Sequence, residues 1–210
     1  MPTLPATRKT RATYHTLIDA TRESVRRTGV LLPETVAETA GVSPATLYTY
    51  FGSKDALLAS AFDTALGDIG EDVARNMTIE SLLEHGLESV ARRMVRGVVK
   101  HFARDARLVR LAIARLSDSP EVVAVYKRRS DEQLAMIGRF VRLGISAGKL
   151  RTGDANVLAR TVMVVLQGLQ NPIVLHSGSA PIVDEMARMI HHLLSPDSGS
   201  GAAKTTADGR

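Results

Sequence analysis

With 210 residues, 44% of them hydrophobic, the chain can bury one sizeable core or a small domain beside a larger one. The absence of cysteine excludes thiol catalysis, disulfides and Cys-ligated metals. The 27 basic against 22 acidic residues (formal charge +5, pI ≈ 9.8) suit a polyanionic partner without requiring one.

No stretch approaches the roughly 20 apolar residues of a membrane span, and the richest run, 162–169, is far shorter. The N-terminal residues are basic but no apolar signal-peptide core follows them. A soluble cytoplasmic protein is expected, with no membrane partner.

Residues 1–9 read as a flexible basic arm, in which Arg8 and Lys9, with Arg11 just beyond, offer general phosphate attraction. From about residue 10 to residue 28, Leu17, Ile18, Ala20, Ser24 and Val25 suit one amphipathic helix ending at Gly29. Arg22, Arg26 and Arg27 read as its solvated face. Residues 35–54, TVAETAGVSPATLYTYFGSK, then place two short helical patterns around a Gly-containing turn. Pro33 suits a first helical turn, and Val36, Ala37 and Ala40 give the first helix an apolar face. Gly41 supplies a left-handed turn residue, Ser43 an N-cap and Pro44 a first helical position that needs no N–H. In the second helix Leu47 and Phe51 are expected inside, leaving Ala45, Thr46, Tyr48, Thr49 and Tyr50 outside. That outward face is small and hydroxyl-bearing, with Lys54 one turn on, and it suits a DNA groove. An ordinary helical hairpin would share the A-G-V-S turn but has no need of the rest.

The run A-G-V-S-x-A-T-L-Y-x-Y-F-x-S-K-x-x-L, dense from Val36 to Leu57, resembles the TetR family of bacterial transcriptional repressors. The resemblance implies an all-α fold: an N-terminal three-helix helix-turn-helix domain and a larger C-terminal helical domain for ligand sensing and dimerisation. It implies a double-stranded DNA operator and a small-molecule effector as partners, and no cofactor. The positions implied to touch DNA are Ser43, Pro44, Ala45, Thr46, Tyr48, Thr49, Tyr50 and Lys54. The segment between Gly29 and Val36 departs from the pattern: it is about two residues short, and Leu32-Pro33 stands where the family is Thr-rich. The domains are expected at 10–52 (DNA-binding), 53–70 (a connecting helix) and 71–195 (ligand-binding and dimerising), with a disordered tail at 196–210.

Downstream, Ser53 and Asp55 open the connecting helix, whose apolar residues keep helical spacing from Leu57 to about Gly70; residues 71–80 break the pattern. From Ser81, Leu83, Leu87, Val90, Met94, Val98 and Phe102 recur every three or four residues, opposite a basic stripe of Arg92, Arg93, Arg96, Lys100, Arg104 and Arg107. A solvated face accounts for the stripe; the alternative is an anionic ligand such as a coenzyme A thioester. A shorter helix runs from Leu108 to Leu116. Pro120 starts another that ends at Gly148, and Lys127-Arg128-Arg129 should form an exposed turn or bend within it. Asp154 caps a helix apolar nearly all round, with Val157, Leu158, Val162, Val164, Val165 and Leu166 among its residues. Pro172 ends or kinks it. The last helix begins at 179–181 and carries Ile182, Val183, Met186, Met189, Ile190 and Leu193. These two helices, about 154–172 and 181–194, are expected to pair with their symmetry mates in a homodimer.

No phosphate loop, H-E-x-x-H or G-x-S-x-G occurs, His191 and His192 diverge on one helix, and His85 and His101 stand far apart in the chain. Catalysis and metal binding have no supporting pattern, so a non-enzyme is expected. A ligand pocket would be lined by Met94, Phe102, Tyr126, Met136, Phe140, Met163 and Gln167. Gln167, a polar group in the most apolar helix, is read either as a hydrogen bond within the dimer interface or as a ligand contact. Taken together, the residues point to a homodimer that binds a palindromic operator and represses transcription until an effector releases it. An architectural DNA-binding protein and an all-helical enzyme are the rival readings.

Overall fold

The structure is a computed structural model describing residues 8–175 and 180–196, with side chains from residue 10 onward. Most of the expected arm, Ser179 and the tail from residue 197 lie outside the described residues. Among these there are nine α-helices and no strand: α1 (Arg8–Thr28), α2 (Pro33–Thr39), α3 (Pro44–Phe51), α4 (Lys54–Asn76), α5 (Ile79–Ile113), α6 (Pro120–Ser146), α7 (Ala155–Gly168), α8 (Pro172–Leu175) and α9 (Ala180–Leu194). The fold is all-α, as expected, and no described helix is long and apolar enough to cross a membrane.

The first three helices share a small core. Leu17, Ile18 and Val25 of α1 meet Leu31, Val36 and Ala37 around α2, and Leu47 and Phe51 of α3. Tyr14 stacks on Phe51 with ring centroids 5.1 Å apart, which ties α1 to α3. α4 packs on α1 and α3 of this unit and then runs on between α5 and α6.

Downstream, α6 packs on α7, α5 on α9, and α7 on α9. The helix starts follow from local chemistry. Ser53 Oγ accepts from the Ala56 N–H, Thr78 from Ser81, Ser119 from Val122, and Asp154 from both Asn156 and Val157.

Four local expectations are corrected. The connecting helix, expected to stop near Gly70, continues to Asn76, because Ile69, Val73 and Met77 extend its buried line at i+4. The helix expected from Ser81 starts earlier, at Ile79, and is interrupted at Gly86 (φ 75°, ψ 164°). This left-handed residue shifts the helical phase, so Leu82 is buried and Leu83 is 57% exposed. The shorter helix expected from Leu108 is the continuation of α5 beyond a second non-helical residue, Asp105 (φ −108°, ψ 17°).

The fourth concerns Lys127-Arg128-Arg129, where α6 runs through without a bend. Asp63 on the facing α4 holds both arginines, with Arg128 Nη2 and Arg129 Nε at 2.6 and 2.5 Å from its Oδ1. Lys127 is the exposed member.

Candidate nucleic-acid interface and effector cavity

The turn between α2 and α3 is closed by Gly41 at φ +68°, where Gly41 N donates to Glu38 O and Val42 N to Ala37 O. Ser43 then caps α3: its Oγ accepts from the Thr46 N–H at 3.1 Å and lies 2.9 Å from Thr46 Oγ1. With Leu47 and Phe51 buried, the opposite face of α3 is presented to solvent. Ser43, Pro44, Ala45, Tyr48 and Thr49 are exposed there, and Lys54, the first residue of α4, is exposed beside them.

Thr49 donates its hydroxyl proton to Ala45 O, which leaves its methyl and a lone pair outward. Thr46 is half-buried. Tyr50 is also half-buried, leaning on the core beside Phe51, so it presents only part of its ring. At the start of α2, Leu32 occupies the N-cap position without a side-chain hydrogen bond and is 46% exposed. No hydroxyl is available at that capping position for a phosphate.

This unit is bound to the rest of the chain by ions. Arg22, expected on a solvated face, instead reaches from α1 to Asp105 and Asp68: Nη2 lies 2.7 Å from Asp105 Oδ2 and 2.9 Å from Asp68 Oδ2. Arg104 closes the cluster on the same two carboxylates. Arg107 donates to the carbonyls of Arg26 and Arg27 at 2.9 and 2.7 Å, capping the C-terminus of α1. Arg115 binds Asp55 in the first turn of α4. Burial works to lower the Arg22 pKa, but the hydrogen bonds and charges of Asp105 and Asp68 outweigh it and hold the guanidinium above its ordinary value. Burial likewise tends to raise the Asp68 pKa, and Arg22 and Arg104 override it, holding the carboxyl below its ordinary value.

The basic stripe of α5 is therefore not a single solvated face. Arg96 pairs with Asp184 of α9 and Arg92 with Glu88 one turn back, while Arg104 and Arg107 face α1. His101 meets a carboxylate of another helix, Asp72 of α4 at 4.0 Å. His191 and His192 hold their rings edge to face, and no group of three potential metal ligands occurs among the described residues.

Between α4, α5, α6 and α7 lies a cavity with about 610 Å³ of space between atoms, mouth included. Of the seven residues expected at a pocket, Phe102, Tyr126, Met136, Met163 and Gln167 line it. Met94 and Phe140 do not. Each lies one helical turn beyond a lining residue, Val98 and Met136 respectively, where packed side chains have closed the space. Gln167 donates from Nε2 to Tyr126 Oη at 3.2 Å, within the cavity wall. Sequence reasoning missed Ser130 and Gln133, although they continue the Tyr126 face of α6 at i+4 and i+7. It also missed Phe62 and Ile69 of α4, which were read only as packing residues.

Cavity residues flank both carboxylates: Phe102 and Val109 lie on either side of Asp105 at the kink of α5, and Leu66 and Ile69 on either side of Asp68 in α4. The ionic bridge to α1 thus starts from the cavity's own walls.

Residues 17–61 match the family described as bacterial regulatory proteins, tetR family. Over nearly the whole chain the fold is similar to solved structures. A Mesorhizobium loti protein assigned to the TetR-family transcriptional regulators is 20% identical, with 90% of this chain and 100% of that chain covered at a TM-score of 0.72. A TetR transcription regulator from Haloarcula marismortui is 15% identical, covering 87% and 96% at a TM-score of 0.72. Salmonella enterica GusR is 18% identical, covering 88% and 96% at 0.69. No curated protein matches the sequence.

Proposed function

We propose that the chain is a TetR-family transcriptional regulator, a repressor that binds a palindromic operator as a homodimer and leaves it when a small molecule enters the cavity. The family match over residues 17–61 supports DNA-binding regulation rather than catalysis. The observation that carries the proposal is the exposed face of α3. Its small and hydroxyl-bearing residues sit on a rigid three-helix unit, and that unit is ion-paired to the walls of a cavity.

Docked by the N-terminal end of α3, the head would place Pro44, Ala45, Thr46 and Thr49 toward base edges. Ser43, Tyr48, Tyr50 and Lys54 would hold phosphates and set register. Two such heads related by a two-fold axis would enter successive major grooves about 34–36 Å apart. The partner surface is supported by α7 and α9, which leave Val157, Val164, Ile182 and Met189 exposed in the single chain. An architectural protein without a ligand would have no use for the cavity, which disfavours that rival.

The bridge from α1 to α4 and α5 supplies a physical route for release. A ligand that moves Phe102, Val109 or Ile69 shifts the carboxylates that hold Arg22, and with them the angle of α1. The decisive experiment is binding of the purified protein to a duplex from its own upstream region and to a scrambled duplex, at two salt concentrations. Specific binding that survives the higher salt, with two subunits per site, is the expected result. Equal, steeply salt-sensitive binding to both duplexes would reduce the interface to general polyanion affinity.

A further inference from the structure

The cavity has two chemically different walls. α4 and α5 contribute only apolar side chains, among them Phe62, Ile69, Val98 and Phe102. Its polar groups come from α6, α7 and the turn just after α7: Tyr126, Ser130, Gln133, Gln167 and Gln170, with Arg129. Every one of these except Arg129 is uncharged, and no Asp, Glu or Lys lines the cavity.

The Arg129 charge is already matched. Its Nε lies 2.5 Å from Asp63 Oδ1 and its Nη1 3.1 Å from Glu132 Oε2, while neighbouring Arg128 shares the same two carboxylates. Two cations and two anions leave no net charge for a ligand to neutralise. An anion entering here would give up its hydration with no unpaired cation to meet it, and an ammonium would find no free carboxylate. Neutral amides and hydroxyls are different, since they accept and donate without such a penalty. Gln167 gives its N–H to Tyr126, so its carbonyl oxygen remains as an acceptor.

A second depression adjoins the first and shares Leu66, Arg129, Gln133 and Met136 with it. It adds Gly67, Gly70, Glu71 and Ala74 of α4 and Glu132 of α6, with the exposed Glu71 carboxylate facing Arg75 at 4.0 Å. A Cβ at Gly67 would lie 3.0 Å from Arg129 Nη2, so the glycine leaves room for the guanidinium to lie across α4. The mouth therefore opens between α4 and α6 past a charge-balanced ion cluster.

We propose that the effector is an uncharged, largely apolar molecule whose hydrogen-bonding groups lie along one edge, facing α6 and α7, and that it enters between α4 and α6 at Gly67 and Gly70. This inference rests on the reading of the cavity as the effector site.

Two dyes that differ by one anionic group test it: neutral N-phenyl-1-naphthylamine and its 8-sulfonate, titrated by fluorescence into the full chain. The neutral dye should bind once per protomer, about 10-fold or more tighter than the sulfonate. Met163→Trp, which fills the cavity from its half-buried rim, should abolish that binding while leaving the helical spectrum of the folded chain unchanged. Gln167→Leu should weaken it several-fold. Gln133→Lys, which adds an unmatched cation to the polar wall, should bring in the sulfonate. Equal affinity for both dyes, both lost in Met163→Trp, would overturn the ligand class and leave the cavity as the effector site. Failure of both dyes to bind, or binding untouched by Met163→Trp, would overturn the cavity reading as well. Operator binding, measured separately, is independent of all these results.

Discussion

Arg22 of α1 and Asp105 at the kink of α5 are joined by two charge-assisted hydrogen bonds, Nη2 to Oδ2 at 2.7 Å and Nε to Oδ1 at 3.3 Å. Asp105 is 5% exposed, and it is the second of the two residues at which α5 departs from helical geometry. Removing one partner of a buried pair costs about 3–5 kcal/mol, because the remaining charge loses its counter-ion. Arg104 still reaches Asp105, so Arg22→Ala should cost about 3 kcal/mol, the lower end of that range. Denaturant unfolding measures it. The same variant should retain operator binding in part and respond less to effector; full response to effector would show that the bridge carries no coupling.

The titration of this region sets a pH dependence with two windows. Burial, then the charge of Arg104, push the His101 pKa below its ordinary 6.5, against the pull of Asp72, Asp68 and Asp105. A histidine kept neutral in the folded chain binds more protons when unfolded, so its contribution is complete above pH 6.5 and is lost as pH falls from there through the folded value. Asp68, held below its ordinary 3.8 once Arg22 and Arg104 override its burial, gives a second loss at lower pH. That contribution is present above 3.8 and disappears as pH falls through the folded value. Urea midpoints against pH should show both steps. His101→Gln should remove the upper one alone, and a mildly acidic step that persists in that variant would assign it elsewhere.

How much of this was legible in the sequence depends on the distance over which each feature is determined. The caps at Ser43, Ser53 and Asp154 and the turn at Gly41 are settled within four residues, and they stand where the sequence places them. Arg22 and Arg104 could not be separated from solvated arginines, because their partners lie 83 and 36 residues away and periodicity does not say which helices cross. Arg128 and Arg129 look like a break in an apolar line until Asp63 is placed opposite them. Leu83 was misassigned for a different reason. A period of 3.6 assumes an unbroken helix, and Gly86 at φ 75° resets the phase between Leu82 and Leu87. The cavity was half legible: Phe102, Tyr126 and Gln167 could be named, but where packing stops, at Val98 and Met136, is decided by the crossing of four helices.

At the proposed DNA face, Lys54 and Ala45 should behave differently. Lys54 is an exposed cation at the start of α4, and a phosphate contact carries no sequence information. Lys54→Ala should weaken specific and scrambled duplexes alike and lower the slope of log K against log salt by about 0.9. Ala45 is exposed on the first turn of α3, where close approach to the groove needs a small side chain. Ala45→Leu should reduce operator affinity while sparing the scrambled duplex, so the specificity ratio falls by about 1–3 kcal/mol. Unchanged affinity and salt slope in Lys54→Ala would remove that residue from the interface.

The single chain leaves apolar side chains exposed at a spacing of seven on both α7 and α9. Val157 and Val164 are 59% and 65% exposed, and Ile182 and Met189 are 41% and 52% exposed, on helices that pack against each other. Seven residues are close to two helical turns, so each pair lies on one side of its helix. Leu158, Val162 and Leu166 fill the opposite side of α7, which is why that helix reads as apolar nearly all round. A two-fold copy of α7 and α9 would cover these residues in a four-helix packing. Val164→Asp places a charge at the most exposed of the valines without disturbing the buried side, so the monomer should fold with an unchanged helical spectrum. Sedimentation equilibrium should find the wild type dimeric and the variant monomeric at micromolar concentration. Operator affinity in the variant should then drop toward that of one head on one half-site. A variant that stays dimeric would move the interface away from α7, and the two-headed geometry would need another pair of helices to hold it.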